Sequence, residues 1–318
     1  MRIAIDVMGG DYAPTEIIAA AVEWAQDSED KLMLVGKEDI IKNELQAYNY
    51  VQERIEIIPA SQVVEMNESP ATAMRKKKDA SIFVATRLIK EGQADAVISC
   101  GSTGAQLAAA IFILGRLESI DRPPIIAAIP NNKGSYSLLV DVGANVDCKA
   151  QQLLQFALLG KAYATILMDL DNPRVALLNN GEEEGKGNNL TIESYQLLKE
   201  NQDLNFVGNI EGRDLFSGKA DVAVCDGFTG NLLLKTIEGL ALFAAQSCSL
   251  ELDHVPEFFA KFDYSRVGGA PLLGVDGVSI VCHGSSKRDA VFNGIKIAVE
   301  CLEKEMVNRQ KIALGQTL

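Results

Sequence analysis

Short apolar runs rich in valine, isoleucine and leucine alternate along the chain with longer segments whose apolar residues recur at a helical period, and most short runs end at glycine or aspartate. This is the pattern of βαβ units. Strands are expected near Ile3 to Val7, Leu32 to Val35, Ile55 to Ile58, Ala96 to Ser99, Ile125 to Ile129, Leu138 to Asp141, Val175 to Leu178, Val222 to Cys225 and Val278 to Val281, with helices between most of them. Runs such as Ala96-Val97-Ile98 show no polar alternation, so both faces of their strands should be covered. A three-layer αβα arrangement around a mostly parallel sheet follows. Ligands in such sheets bind beyond the C-terminal strand ends, which directs the search for function to the loops there.

A length of 318 residues suits about two domains or one large layered one. The excess of 43 acidic over 30 basic side chains, a net charge of -13, argues against nucleic-acid binding through a basic face. The most apolar candidate segment, Gly239 to Leu250, is flanked by Glu238 and Glu251 and is too short to span a bilayer, so membrane contact is expected to be peripheral. Cys100, Cys148, Cys225, Cys248, Cys282 and Cys301 form no CxxC pair, and His254 and His283 are too few for a histidine-rich zinc site. With Arg2 and Asp6 bracketing the first apolar run and no cleavage signature, a reducing, cytoplasmic setting is expected.

One internal similarity stands out. Residues 92–104 read GQADAVISCGSTG and 218–230 read GKADVAVCDGFTG, with glycine, alanine, aspartate, glycine, threonine and glycine recurring at a constant offset. Convergence on tight turns and an ancient duplication both account for it; either way the two G-x-T-G turns should present similar backbone geometry. Glycine-rich turns ahead of helices also occur at Met8-Gly9-Gly10-Asp11, at 141–145, at 181–188 and at His283-Gly284-Ser285-Ser286. Backbone N–H groups at such turns, beside the positive end of a helix dipole, suit phosphate. The stretch GEEEGKG at 181–187 has too few residues between its glycines for a P-loop and lacks its Ser or Thr, and G-x-G-x-x-G after the first strand, G-x-S-x-G and H-E-x-x-H are all missing. Dehydrogenase, serine hydrolase and zinc protease readings therefore lack their usual support.

Lys186 could neutralise a bound phosphate or merely balance Glu182, Glu183 and Glu184. Asn231 could donate to a developing oxyanion or cap a helix. His283 is an acid–base candidate or a structural histidine, and Cys225 and Cys282, with no activating base nearby in sequence, read as buried thiols. The run Arg75-Lys76-Lys77-Lys78 is the strongest basic cluster in an acidic chain, either a solvated helix or a docking patch for an acidic partner.

Taken in order, IAIDVMGGDYAP, ISCGSTGA, DVGANVDCK, LLNNGEEEGKGN, FVGNIEGRDLFSG, ADVAVCDGFTGN, YSRVGGAPLLG and HGSS closely resemble the PlsX family, the acyl-carrier-protein:phosphate acyltransferases of bacterial phospholipid synthesis. The resemblance covers essentially the whole chain. It implies an αβα fold like that of the isocitrate and isopropylmalate dehydrogenases, shared with phosphotransacetylases, as one catalytic unit over residues 1–318 with room for two lobes around a cleft. It implies transfer of a long acyl chain from acyl carrier protein to inorganic phosphate without a cofactor, in a homodimer, with the acyl phosphate passed to a PlsY-type membrane glycerol-3-phosphate acyltransferase. Lys186 and Asn231 match the family's catalytic pair. Asp6, Gly9, Gly10, Ser102, Thr103, Gly104, Asn145, Asp226, Gly227, Thr229, Gly230, His283, Gly284 and Ser285 are expected around the phosphate and substrate, with Arg75, Lys76, Lys77 and Lys78 docking the carrier. Two departures stand out. Cys100 and Ser102 give SCGSTGA where SAGNTGA is usual. The segment from Gly239 to Tyr264, expected to form helices for dimer and membrane contact, looks short; it keeps Leu240, Leu242, Phe243, Val255, Phe258 and Phe259 but only one basic residue, Lys261, so attraction to anionic lipid should be weak.

Overall fold

The computed structural model of the chain describes residues 1–252 and 268–316. It divides into two compact units, one made of Met1–Arg116 and Tyr264–Glu303, the other of Leu117–Asp263 and Lys304–Leu318. The chain begins in the first unit with β1 (Arg2–Asp6), α1 (Thr15–Asp27), β2 (Lys31–Gly36), α2 (Glu38–Leu45), β3 (Ile55–Pro59), α3 (Pro70–Lys76), α4 (Ser81–Lys90), β4 (Ala96–Ser99) and α5 (Thr103–Ala109). The second unit follows with β5 (Ile126–Pro130), β6 (Tyr136–Val140), α6 (Ala150–Leu167), β7 (Arg174–Leu178), α7 (Asn189–Glu200), β8 (Asn205–Ile210), β9 (Val222–Val224) and α8 (Gly227–Leu252). β10 (Ala270–Pro271), β11 (Val278–Val281) and α9 (Arg288–Glu303) return to the first unit, and α10 (Met306–Ala313) belongs to the second.

Each unit has its own sheet. The first has the order β10-β11-β4-β1-β2-β3 and is parallel except for β10; the second has the order β5-β6-β9-β7-β8 and is parallel except for β5. The apolar runs lie where double-sided burial was expected, with every residue of β4 and β9 buried. In the first sheet Ala4, Met33, Val35 and Val97 meet Ile82, Phe83, Ala85 and Leu88 of α4. Alternate residues of the same strands face the other way, where α1 and α9 lie, joined by an edge-to-face contact of Trp24 with Phe292 at 5.0 Å between ring centroids. In the second unit α6 covers β6, β7 and β9, and α10 packs on α6.

The strands fall within a residue or two of their predicted positions, and two are additional: β10 and β8. The segment of β8, NFVGNI, carries two asparagines and a glycine that hide its strand character.

Candidate functional site

The loops at the strand ends of the first unit are locked together by main-chain contacts. Asp6 ends β1 and is 3% exposed; its carboxylate accepts the Ser99 hydroxyl at 2.7 Å and the Met8 N–H at 3.2 Å. The Ser99 oxygen accepts the Gly101 N–H at 3.0 Å, so the ends of β1 and β4 share one small polar network. Gly9 lies so close to Gly101 that a Cβ on Gly9 would sit 2.8 Å from the Gly101 Cα. Asp11 N–H donates to the Gly284 carbonyl at 2.8 Å and Cys282 N–H to the Ser99 carbonyl at 2.9 Å, which draws in the 283–286 loop. Burial pushes the Asp6 carboxyl up from its ordinary range, against the opposing hydrogen bonds. Asp6, expected around the phosphate, is thus buried beneath these loops and shapes them through Ser99 and Met8.

Ser102 caps α5, accepting Ala105 N–H at 3.4 Å. The N–H groups of Ser102, Thr103 and Gly104 have no acceptor among the described residues and are available to an anion. His283 is exposed, and its Nδ1 accepts the Ser285 N–H at 3.2 Å while lying 2.6 Å from the Ser285 hydroxyl. A backbone donor on Nδ1 fixes the neutral ring proton on Nε2.

In the second unit the organising group is Asp141, 0% exposed at the end of β6. Its Oδ1 accepts the N–H groups of Ile125, Gly143 and Ala144 at 3.0, 3.2 and 3.1 Å. Its Oδ2 accepts the backbone and side-chain N–H of Asn145 at 2.7 and 2.9 Å. Burial pushes this carboxyl up, and the five donors pull it back toward ionisation. Asn145 is consequently consumed: it is 4% exposed, its amide also donates to the Pro123 carbonyl at 3.0 Å, and its own carbonyl accepts Gly227 N–H at 2.7 Å.

That last bond docks α8. The second G-x-T-G segment is no turn; α8 starts at Gly227, and Asp226 caps it by accepting Thr229 N–H at 2.8 Å and the Thr229 hydroxyl at 2.9 Å. In the first copy the cap is Ser102, whose counterpart is Phe228, so the two segments begin their helices two residues apart and their geometries differ. Of the N–H groups at 227–230, those of Gly227, Thr229 and Gly230 already have internal acceptors. With an ionisable carboxylate as cap, this helix start is spent on holding itself, and Asp226, Gly227, Thr229 and Gly230 do not form the expected amide cradle. Gly230 is pressed onto the Asp141 carbonyl, where an added Cβ would land on the oxygen. Asn231 lies beyond the cap on an exposed position, with Gly143 beside its side chain. Its amide has no partner among the described residues, which removes the capping alternative.

The loop from 179 to 188 displays Lys186. Glu182 pairs with Lys219 at 2.8 Å and Glu184 with Lys199 at 3.0 Å, so neither needs Lys186. Among the described residues the exposed Lys186 ammonium has no carboxylate partner. Next to it, Gly187, Asn188, Asn179 and Thr191 line a cavity of about 490 Å³ with Asp226 and Thr229, floored by Leu153, Leu178 and Cys225. Cys225 is buried and its thiol is pushed well up by desolvation, while Cys148 is pushed up to about 11, which suits neither for nucleophilic attack.

The basic cluster is smaller than its sequence. Lys77 turns to Glu68 at 2.6 Å and to the Val63 carbonyl at 2.7 Å, leaving Arg75, Lys76 and Lys78 exposed. On α8, Phe228, Leu232, Leu240, Leu242 and Phe243 are each 60–67% exposed. Val255, Phe258, Phe259 and Lys261 lie outside the described residues. No helix among the described residues is long and apolar enough to cross a membrane, and none of their His, Cys, Asp and Glu side chains form a group of three that could hold a metal.

A family model described as "Fatty acid synthesis protein" matches residues 1–309. The chain is 61% identical over 317 residues to a phosphate acyltransferase of Syntrophomonas wolfei subsp. wolfei, covering 99% of each. It is 49% identical over 322 residues to a phosphate acyltransferase of Heliobacterium modesticaldum, covering 96% of each. Its fold is similar to that of a phosphotransacetylase from Streptococcus pyogenes, with a TM-score of 0.67 at 17% identity over 99% of this chain and 94% of that one. A branched-chain phosphotransacylase from Enterococcus faecalis V583 gives a TM-score of 0.59 at 17% identity over 94% and 98% of the two chains.

Two outcomes follow from the buried carboxylates. Replacing a helical glycine by alanine ordinarily stabilises by about 1 kcal/mol; Gly230→Ala should instead cost about 1–3 kcal/mol in urea unfolding because the methyl meets the Asp141 carbonyl. Because the folded Asp6 carboxyl keeps its proton to higher pH than the unfolded one, its ionisation destabilises the fold as pH rises from the ordinary carboxylate range through the raised value. Wild type should therefore lose stability relative to Asp6→Asn as pH rises above about 4, and a difference independent of pH would contradict the assignment.

Proposed function

The chain belongs to the PlsX family, and on that basis we propose that it moves a long acyl chain from the thioester of acyl carrier protein to inorganic phosphate, giving acyl phosphate and the free carrier thiol. The protein is an acyltransferase; the carrier as donor, the chain length and the place in phospholipid synthesis are our reading. The observation that carries it is the pairing pattern around Lys186. Two of its three glutamate neighbours, Glu182 and Glu184, are paired with other lysines, and Lys186 itself forms no ion pair among the described residues, which leaves its ammonium beside an amide-lined cavity for an incoming anion.

Phosphate near neutral pH is already partly dianionic, so it can attack the thioester carbonyl carbon directly once held against it. A phosphate oxygen forms the new C–O bond, the carbonyl electron pair moves onto oxygen, and its return expels the carrier sulfur with the C–S pair. Lys186 offsets the charge of the anion. The Asn231 amide, without a partner among the described residues, donates to the tetrahedral oxyanion. Free N–H groups at Ser102, Thr103 and Gly104 are further donors available to an anion. The carrier sulfur, with a thiol pKa near 8.5, departs as thiolate and takes its proton from solvent.

The exposed Arg75, Lys76 and Lys78 give an acidic carrier a local place to dock on a chain whose net charge of -13 would otherwise repel it. Phe228, Leu232, Leu240 and Phe243 recur at helical spacing along α8, which supports a homodimer and peripheral membrane contact near the PlsY-type acyltransferase that takes the product. A phosphotransacetylase acting on coenzyme A is the competing reading; a nicotinamide-dependent dehydrogenase and a non-catalytic carrier-binding scaffold fall with the assignment as an acyltransferase.

Thiol release from long-chain acyl carrier protein should depend on added phosphate, and release that persists without phosphate would overturn the reading. Preference for short acyl-coenzyme A would favour the phosphotransacetylase alternative. Lys186→Ala should lower turnover at least ~100-fold, the scale of losing one electrostatic donor. Reversing Arg75 and Lys76 to Glu should raise KM for the carrier at low salt while leaving kcat near wild type.

A further inference from the structure

Strand β8 contains a β-bulge. Val175 of β7 is paired with Phe206, but Leu177 is paired with Asn209, so β8 spends three residues where β7 spends two. The extra residue is accommodated by Gly208 at φ +94, a conformation that side-chain-bearing residues rarely adopt. In a regular strand Val207 and Asn209 would share a face; here Val207 is 40% exposed and Asn209 only 3%. The bulge thus re-aims Asn209 inward.

What Asn209 reaches is the loop that carries Lys186. Its amide donates to the Glu183 carbonyl at 2.8 Å, and the same oxygen accepts the Lys186 N–H at 3.1 Å. The Lys186 carbonyl in turn accepts the Asn179 amide at 3.0 Å. Both main-chain groups of Lys186 are therefore fixed from strand ends, one through Glu183 to Asn209 and the other by Asn179. The Asn209 Oδ1 is buried without a hydrogen-bond partner among the described residues, a cost that stability alone would remove by an apolar replacement.

We propose that Asn209 is a positioning residue for Lys186, aimed by the β8 bulge and acting through the Glu183 carbonyl, with its effect on turnover resting on the catalytic reading of Lys186. It touches no substrate. Its role is to hold the lysine's backbone where the ammonium meets the anion.

A double-mutant cycle tests this. Phosphate-dependent thiol release is measured for wild type, Asn209→Ala, Lys186→Ala and the double variant, and again with Asn209→Leu, which is of similar size and has no donor. Each Asn209 variant alone should slow release ~10–100-fold, the scale of a small misplacement of a catalytic group. Combined with Lys186→Ala it should cost no more than about twofold further. Effects that multiply, or an Asn209 variant with near-normal release beside an impaired Lys186→Ala, would overturn the proposal. Hydrogen exchange of the Lys186 amide supplies a readout independent of chemistry: Asn209→Ala should speed it at least ~10-fold, and unchanged exchange would refute the positioning role. Were Lys186→Ala fully active, the catalytic reading of Lys186 would fall, while the exchange result would still decide whether Asn209 holds the loop.

Discussion

A carboxylate that has given up water must be surrounded by donors, and Asp141 meets that requirement by gathering the second unit's loops around itself. Five N–H groups converge on one side chain, and the loop they fix presents the Asn145 carbonyl to the first residue of α8. The position of Asn231 is thereby set by a charge it never touches. Asp6 does the same work at the end of β1 with a shorter chain of bonds through Ser99 to Gly101. In both units, acidic residues that look like ligands in sequence are the supports beneath the loops, and the groups left over for a ligand are amides, hydroxyls and cations.

The strands and the mostly parallel sheets were legible because a strand buried on both faces reads as a short continuous apolar run, here bounded by glycine and aspartate. β8 was hidden because it is an edge strand with a bulge: Gly208 serves the bulge, Asn209 the 179–188 loop, and Asn205 donates to the Asn172 carbonyl. Lys186 and Asn231 could be picked out only as candidates. What weighs against their alternatives is a set of contacts that no sequence spacing contains: Lys219 and Lys199 taking Glu182 and Glu184, and Asp226 taking the cap. The repeated G-x-T-G segments misled for a related reason. Sequence shows that two turns share residues, but which side chain accepts the first free N–H depends on what precedes it, Cys100 in one copy and Asp226 in the other.

An acidic protein that handles anions faces a conflict between its overall field and its purpose. The conflict is resolved locally. Around the 179–188 loop Glu182 and Glu184 are each matched by a lysine from a different element, which reduces the negative charge competing for Lys186. In the basic run near α3 the matching goes the other way, Glu68 withdrawing Lys77 from the surface.

The chain's route has a price during synthesis. β4 lies between β1 and β11, and β11 is reached only after the Leu117–Asp263 stretch of the second unit has been made. At ordinary elongation rates the nascent first sheet waits on the order of ten seconds or more with one flank of β4 unpartnered. An open, fully apolar parallel edge on the ribosome invites pairing with the wrong chain. Holdase chaperones, or slow codons placed after rather than before β11, would bear directly on how much of this protein reaches its folded form.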